Sequence, residues 1–181
     1  KALIGLDPYQ LGALRTIITG LFLFIAGYNT IKSIKKSEWK WVAISGFLGS
    51  FFPSFFFAIA ETEIDSAVAS ILNSLVPLNT ILLGFAVFKI ASTRRQVIGV
   101  VIGFIGTAIL ILKGAELNPE QNYLFAGYVI ASTLMYAANV NIIKRYLQDV
   151  RPLAIATGNY VAIIIPAVVV LLFTGFFSQS T

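Results

Sequence analysis

Six long apolar stretches, separated by short polar connections, constrain this chain more than any other feature of its sequence. They run over residues 11–28, 41–60, 67–88, 97–112, 123–143 and 153–173. About 20 apolar helical residues cross the hydrocarbon core of a bilayer, where every backbone amide must bond within its own helix. The fourth stretch is short and borrows from its flanks. The sequence therefore predicts an all-α integral membrane protein, a bundle of six membrane-spanning helices in the lipid bilayer.

The residue types that are missing exclude several classes of function. The chain contains no cysteine and no histidine, which removes thiolate metal sites and the commonest general base. We therefore expect no metal, no cofactor and no enzymatic activity. A net charge of +5 could suggest nucleic acid, but binding would need a basic solvated face. The chain is 57% hydrophobic and only 12% charged, and its basic residues lie in short clusters between apolar runs. We therefore expect no nucleic-acid partner.

The loop charges alternate along the chain and predict its orientation. Ten of the thirteen lysines and arginines lie in loops 29–40, 89–96 and 144–152. Cytoplasmic loops collect such residues, so we expect these three in the cytoplasm, with the protein in a bacterial inner membrane. This orientation places Lys1 outside. We therefore expect at least one further helix before it, and a continuation after Thr181.

The third stretch carries a polar face within an apolar helix. Asn73 and Pro77 stand four residues apart, and Pro77 cannot donate to the Asn73 carbonyl, which predicts a kink and a free acceptor near mid-membrane. Either this face lines a solute cavity or its small and amide side chains hold helices together; we favour the cavity. The residues spaced three and four apart on it are Ser66, Ser70, Asn73, Pro77, Thr80 and Gly84.

A second polar face is predicted on the fifth stretch. Asn139 belongs to it, because an amide side chain is unfavourable in contact with lipid, whereas Asn141 lies on another side of the helix. Aromatic rings beside an amide could contact a ligand, although Tyr128 also suits ordinary packing. This face holds Tyr128, Ser132, Tyr136 and Asn139. The second stretch adds a proline-bent edge of Ser50, Pro53, Ser54 and Phe57.

Arg15 is the one charged residue inside a predicted span and lies near the outer end of the first. Such a side chain commonly extends to the headgroups. The alternatives are binding an anionic group or pairing with Glu61, Glu63 or Asp65.

Small residues recur at helical spacing in two stretches and predict close packing between backbones. They are Ser45, Gly46, Gly49 and Ser50 in the second, and Gly99, Gly103 and Gly106 in the fourth. We read them as seams within one chain, with a homodimer through such a motif as the alternative.

The entries to the first and sixth stretches are alike, since Pro8 and Pro152 each open a long apolar run. Proline is favoured in the first turn of a helix. The two lie on opposite sides of the membrane in the predicted topology, as in the inverted repeats of secondary transporters.

Several short motifs resemble those of one transporter family. They are Leu14 with Arg15, residues 70–77 (SILNSLVP), Leu83 with Gly84, residues 95–99 (RQVIG), Gly103, Gly106, Gly127 and Ala137. With them the chain resembles the EamA-type transporters of the drug/metabolite transporter superfamily over nearly its whole length.

The resemblance implies ten helices in two inverted repeats of five around a central solute cavity. This chain would hold helices two to seven: residues 1–114 the rest of the first repeat, and residues 115–181 the start of the second. One departure is that family members often carry a glutamate before the basic residue ending the fourth helix. Here Phe88 precedes Lys89, so the role of that carboxylate is open.

We expect a secondary transporter that moves small polar or amphipathic metabolites by alternating access, with export as the direction the family implies. The candidate substrate-binding residues are Arg15, Ser70, Asn73, Pro77, Thr80, Ser132, Tyr136 and Asn139. The alternative is a membrane scaffold or assembly subunit whose working surface is the glycine seams. A membrane enzyme is the third and least favoured class.

Overall fold

Six long helices form the protein in a computed structural model that describes residues 6–117 and 120–178. They are α1 Pro8–Ile31, α2 Trp39–Ala60, α3 Ser66–Ala86, α4 Arg94–Leu117, α5 Ala126–Tyr146 and α6 Pro152–Phe173. Each is long and apolar enough to cross a membrane. No strand occurs among the described residues, so the predicted all-α membrane bundle is confirmed.

The helices begin at local sequence signals. Asp7 caps α1 by accepting a hydrogen bond from the Tyr9 N–H (2.8 Å), and Gln10 reaches back to the Asp7 N–H (3.2 Å). This reciprocal pair satisfies two donors that a helix start leaves unpaired. Pro8 and Pro152 occupy the first turns of α1 and α6, as their entry motifs predict.

Two of the helices are irregular, each just before a proline. In α2 a π-helical turn over Phe47–Phe51 precedes Pro53. In α3 the regular helix stops after Asn73 and resumes at Val76, ahead of Pro77. The break in α3 is the predicted kink, whereas the π turn of α2 is not apparent in the sequence.

Helix α2 lies at the centre of the packing, against α1, α5 and α6. The longest interface joins α1 to α6, while α5 lies between α2 and α3. Helix α4 packs mainly on α3 and leaves most of its surface exposed. Helix α4 thus lies at one edge of the bundle.

The connections gather at two opposite ends. An apolar cluster that includes Ile34, Leu147 and Val150 joins the first and last basic loops, and Arg145 Nη1 donates to the Phe88 carbonyl (2.8 Å). We call the end of the bundle that holds these three basic loops the basic end. At the other end, Asp65 hydrogen-bonds Gln121.

Candidate functional site

The inner face of α5 meets α2 through an amide and a hydroxyl. Ser45 Oγ donates to Asn139 Oδ1 (2.6 Å). Gly49 lies directly beneath the Asn139 amide, which would collide with any side chain at that position. Asn139 is only partly buried. The predicted site residue on α5 therefore lies at the α2 interface while keeping some exposure.

The same hydroxyl also meets α6. Asn159 Nδ2 lies 3.2 Å from Ser45 Oγ and donates to it; with the amide turned over, the nitrogen donates instead to the carbonyls of Val42 (2.9 Å) and Ile155 (3.0 Å). Gly46 allows this approach, because a Cβ there would lie 2.7 Å from the Asn159 carbonyl oxygen. One serine thus links three helices through two amides.

The π turn of α2 leaves backbone acceptors close to this polar cluster. The Phe52 N–H donates to the Phe47 carbonyl, and Pro53 has no N–H. The Leu48 carbonyl therefore loses the Phe52 N–H that an α-helix would supply, and Pro53 offers no N–H in its place. Such π turns often lie at functional sites. Here the turn adds polarity inside a membrane span.

Tyr136 lies one turn before Asn139 on α5 and forms the centre of an aromatic and cationic group. Its ring centroid is 6.3 Å from that of Phe57. Arg15 and Tyr160 lie within electrostatic range of its hydroxyl, without a hydrogen bond to it. Two predicted site residues, Arg15 and Tyr136, are therefore in the same region of the bundle.

Arg15 itself is exposed and forms no salt bridge with Glu61, Glu63 or Asp65. The pairing with one of these acids, one of the alternatives for Arg15, is therefore not formed in this structure. The three acids lie in the connection that follows α2.

The predicted polar face of α3 divides at the helix break. Ser70, Asn73 and Pro77 are exposed, and Ser70 Oγ donates within its own helix to the Ser66 carbonyl (2.7 Å). Beyond the break, Thr80 is partly buried and Gly84 is buried against Asn141. The break turns the second half of this face toward α5.

Helix α3 contacts α5 through a different set of polar groups. Asn79 Nδ2 donates to Thr133 Oγ1 (2.9 Å), and Asn141 Nδ2 donates to the Thr80 carbonyl (2.9 Å). The exposed residues Ser70, Asn73 and Pro77 are outside these contacts. Within the described chain, no hydrogen bond joins Ser70, Asn73 or Pro77 to the predicted polar face of α5.

Ser132, the remaining predicted residue, is fully buried. Its hydroxyl donates to the Tyr128 carbonyl one turn earlier in α5 (2.9 Å). Tyr128 is exposed and packs edge-on against Phe56, with the ring centroids 5.5 Å apart.

Comparison with known proteins places the chain in a family. Residues 1–112 match the model of the EamA-like transporter family. The chain belongs to this family. Among curated proteins, the EamA-like chain is similar to the uncharacterized transporter YyaM of Bacillus subtilis (strain 168), with 25% identity over 172 residues. That match covers 92% of this chain and 54% of the relative, so the chain spans about half the length of the protein it matches. No solved structure matches it.

Some polar residues of this EamA-like chain escape the sequence analysis. Asn79, Thr133 and Asn159 are buried and hydrogen-bonded between helices. Asn79 lies two residues after Pro77 and falls off the three- and four-residue spacing that defined the predicted face. The available signal was that an amide in an apolar span needs a partner.

Proposed function

We propose that this EamA-like chain is part of a secondary transporter of the drug/metabolite type that moves small polar or amphipathic metabolites. The observation that carries the proposal is the exposed polar surface of α3. Ser70, Asn73 and Pro77 are exposed inside a membrane-spanning helix that is broken beside them. Polar groups and irregular backbone at membrane depth are tolerated where they line a water-filled cavity.

The group around Tyr136 supports a binding role for the α5 face. Arg15 supplies a cation and Tyr160 a phenol within electrostatic range of the Tyr136 hydroxyl, and the Tyr136 ring lies beside that of Phe57. A cation with phenol donors suits an anionic or amphipathic solute, because the ring faces bind its apolar part. Ser132 and Thr80 contribute less directly, since both hydroxyls donate to carbonyls within their own helices.

Alternating access is the mechanism we propose, with the irregular turns of α2 and α3 as the points of bending. Each turn lacks part of its helical hydrogen bonding. Rearrangement there breaks fewer backbone bonds than it would in a regular helix. The proposed full fold has ten helices, with residues 1–114 in one repeat and 115–181 in the inverted second.

The test is solute transport by the full-length protein in liposomes, with Asn73→Leu and Asn139→Leu. Each exchange keeps side-chain size and removes the amide, so we expect transport to fall at least about tenfold, the effect of roughly 1.4 kcal/mol. Asn29→Leu is the matched control, at an exposed position near the end of α1. If both site variants transport every tested solute at the normal rate, the proposed site is wrong.

Export is the direction we propose, with loops 29–40, 89–96 and 144–152 in the cytoplasm of a bacterial cell. Cells that express the full-length protein should then lose a preloaded substrate faster than cells expressing Asn73→Leu. Faster uptake without faster loss would reverse the proposed direction.

A scaffold or assembly subunit is the second candidate, and one observation favours it. A Cβ atom added at Gly99 or Gly106 on α4 would have no atom of another helix of the described chain within 4 Å. This small-residue surface could receive another helix, including that of a second copy. Gly99→Leu with Gly106→Leu should abolish co-purification of a partner if the scaffold function holds, and should leave transport unchanged if it does not.

A further inference from the structure

A polar cavity of about 250 Å³ lies at the basic end, enclosed by α3, α5 and the start of α4. Its polar lining includes Thr80, Ser92, Gln96, Asn141 and Lys144. Of the candidate substrate-binding residues, Thr80 alone lines it, and it shares no lining residue with the group of Tyr136, Arg15 and Phe57. The exposed α3 residues that carry the proposed function therefore leave this cavity unassigned.

The side chains of this cavity offer hydrogen-bond donors that the described chain does not use. Gln96 Oε1 accepts from the Thr93 N–H (2.8 Å), which leaves the Gln96 amide N–H groups without a described acceptor. The Ser92 hydroxyl has no described acceptor either. Lys144 is exposed and forms no salt bridge with a described carboxylate. An ammonium with amide and hydroxyl donors matches a phosphate group.

An apolar groove of about 330 Å³ continues from the cavity between α3 and α4. The two share Ile81 and Ser92 in their walls. Phe85 and Val101 on either side of the groove are 65% and 52% exposed. A polar chamber that opens into an apolar channel along two membrane helices has the shape of a headgroup joined to an acyl chain.

The charge around the cavity has one sign. No aspartate or glutamate occurs between Asp65 and Glu116, or between Glu120 and Asp149. Helices α3 and α5 therefore contain no acidic residue, and α4 contains none before Glu116. Lys89, Arg94 and Arg95 lie in the adjoining connection. Basic residues near the membrane surface contribute about 1 kcal/mol each toward anionic lipids. The surroundings therefore favour an anion over a zwitterion.

We propose that this site binds an anionic phospholipid, with the phosphate in the cavity beside Lys144 and one acyl chain in the groove between α3 and α4. The lipid fills the space between the weakly packed α4 and the rest of the bundle. It is thereby a structural ligand of the α3–α4 connection.

The experiment measures lipid retained by the purified full-length protein, using native mass spectrometry with phosphatidylglycerol and with phosphatidylcholine of the same acyl chains. We expect phosphatidylglycerol to be retained preferentially. Lys144→Gln should lower that retention about fivefold, the effect of one lysine, and Lys144→Arg should keep it. Lys36→Gln, in another loop of the basic end, is the matched control and should change nothing.

A second variant tests the groove. Val101→Trp fills it and should lower retention of phosphatidylglycerol, whereas Val169→Trp, at a comparably exposed position on α6, should not. Thermal unfolding without lipid shows that each variant is folded. Equal retention of both lipids, or no effect of Lys144→Gln, would overturn the proposal. The proposal would also be overturned if inorganic phosphate alone stabilised the protein through Lys144 and Val101→Trp did not change this effect. That result would show that the site binds a soluble anion instead of a lipid.

Discussion

Asn79 and Asn73 show two different uses of the same residue type six positions apart. Asn79 is buried and donates to Thr133, which joins α3 to α5. Asn73 is exposed, and its side chain makes no hydrogen bond within the described chain. The first is placed to hold the bundle together, and the second is free to contact a solute.

We therefore expect opposite effects from the same substitution at these positions. Asn79→Leu should lower the free energy of unfolding by about 0.6 to 1.7 kcal/mol, the range for one hydrogen bond between membrane helices. Asn73→Leu should leave it unchanged and abolish transport by the full-length protein. Reversible unfolding in mixed micelles checks the first part. Equal loss of stability in both variants would show that Asn73 is a packing residue.

Two glycines give a second contrast at this scale. A Cβ at Gly46 would lie 2.7 Å from the Asn159 carbonyl oxygen, and this backbone atom cannot yield without separating α2 from α6. Gly46→Ala should therefore destabilise by roughly 1–3 kcal/mol, as overpacking does. Gly106→Ala faces open space and should leave stability unchanged or raise it through helix propensity. The same unfolding measurement distinguishes them.

At the scale of the helices, prolines explain where regular hydrogen bonding stops. Pro53 follows the π turn of α2, and Pro77 follows the break in α3. A membrane helix that loses backbone bonds must satisfy those groups with neighbours or water. The exposed position of Pro77 favours water, which agrees with a solvated route along α3.

Replacing Pro77 tests this explanation. Pro77→Ala restores an N–H that can donate to the Asn73 carbonyl, so the helix should become more continuous and transport by the full-length protein should slow. Hydrogen exchange of residues 74–77 should slow with it. Pro152→Ala, in the first turn of α6, is the control, because no helical acceptor exists for that N–H. Unchanged exchange in Pro77→Ala would contradict the explanation.

At the scale of the molecule, the bundle has a tightly packed side and a loose edge. The α1–α6 interface is the longest, and Thr157 on α6 donates to the Leu153 carbonyl (2.8 Å) while lying close to Gly27 of α1. At the other edge, α4 rests mainly on α3. If the proposed alternating-access mechanism holds, we expect motion at the loose edge rather than at the close backbone contacts.

The absence of cysteine from the 181 residues makes the predicted orientation straightforward to measure. Ser33→Cys and Gln148→Cys lie at the basic end, and Thr62→Cys lies at the opposite end; all three positions are exposed. In intact cells an impermeant thiol reagent should modify Thr62→Cys directly, and the other two only after permeabilisation. The reverse pattern would contradict the cytoplasmic assignment of the basic loops.

The division between what could and could not be predicted follows the range of the interactions. All six spans, the helix starts at Pro8 and Pro152 and the break before Pro77 depend on neighbours within one or two turns, and the structure has each of them. The environments of Asn79 and Asn159 depend on which helix lies opposite. Periodicity along one chain cannot supply that, particularly past a break that shifts the register.

The sequence by itself determined that the chain crosses a membrane, where its helices lie and which loops share an end. These follow from hydrophobic length and local hydrogen bonding, which act within each segment. Only the tertiary structure decided that Asn139 meets Ser45, that Asn79 donates to Thr133 and that the face of α3 divides near its break. Lipid is as apolar as leucine, so association of the helices depends on packing and hydrogen bonds between them, and these are specified by contacts distant in sequence.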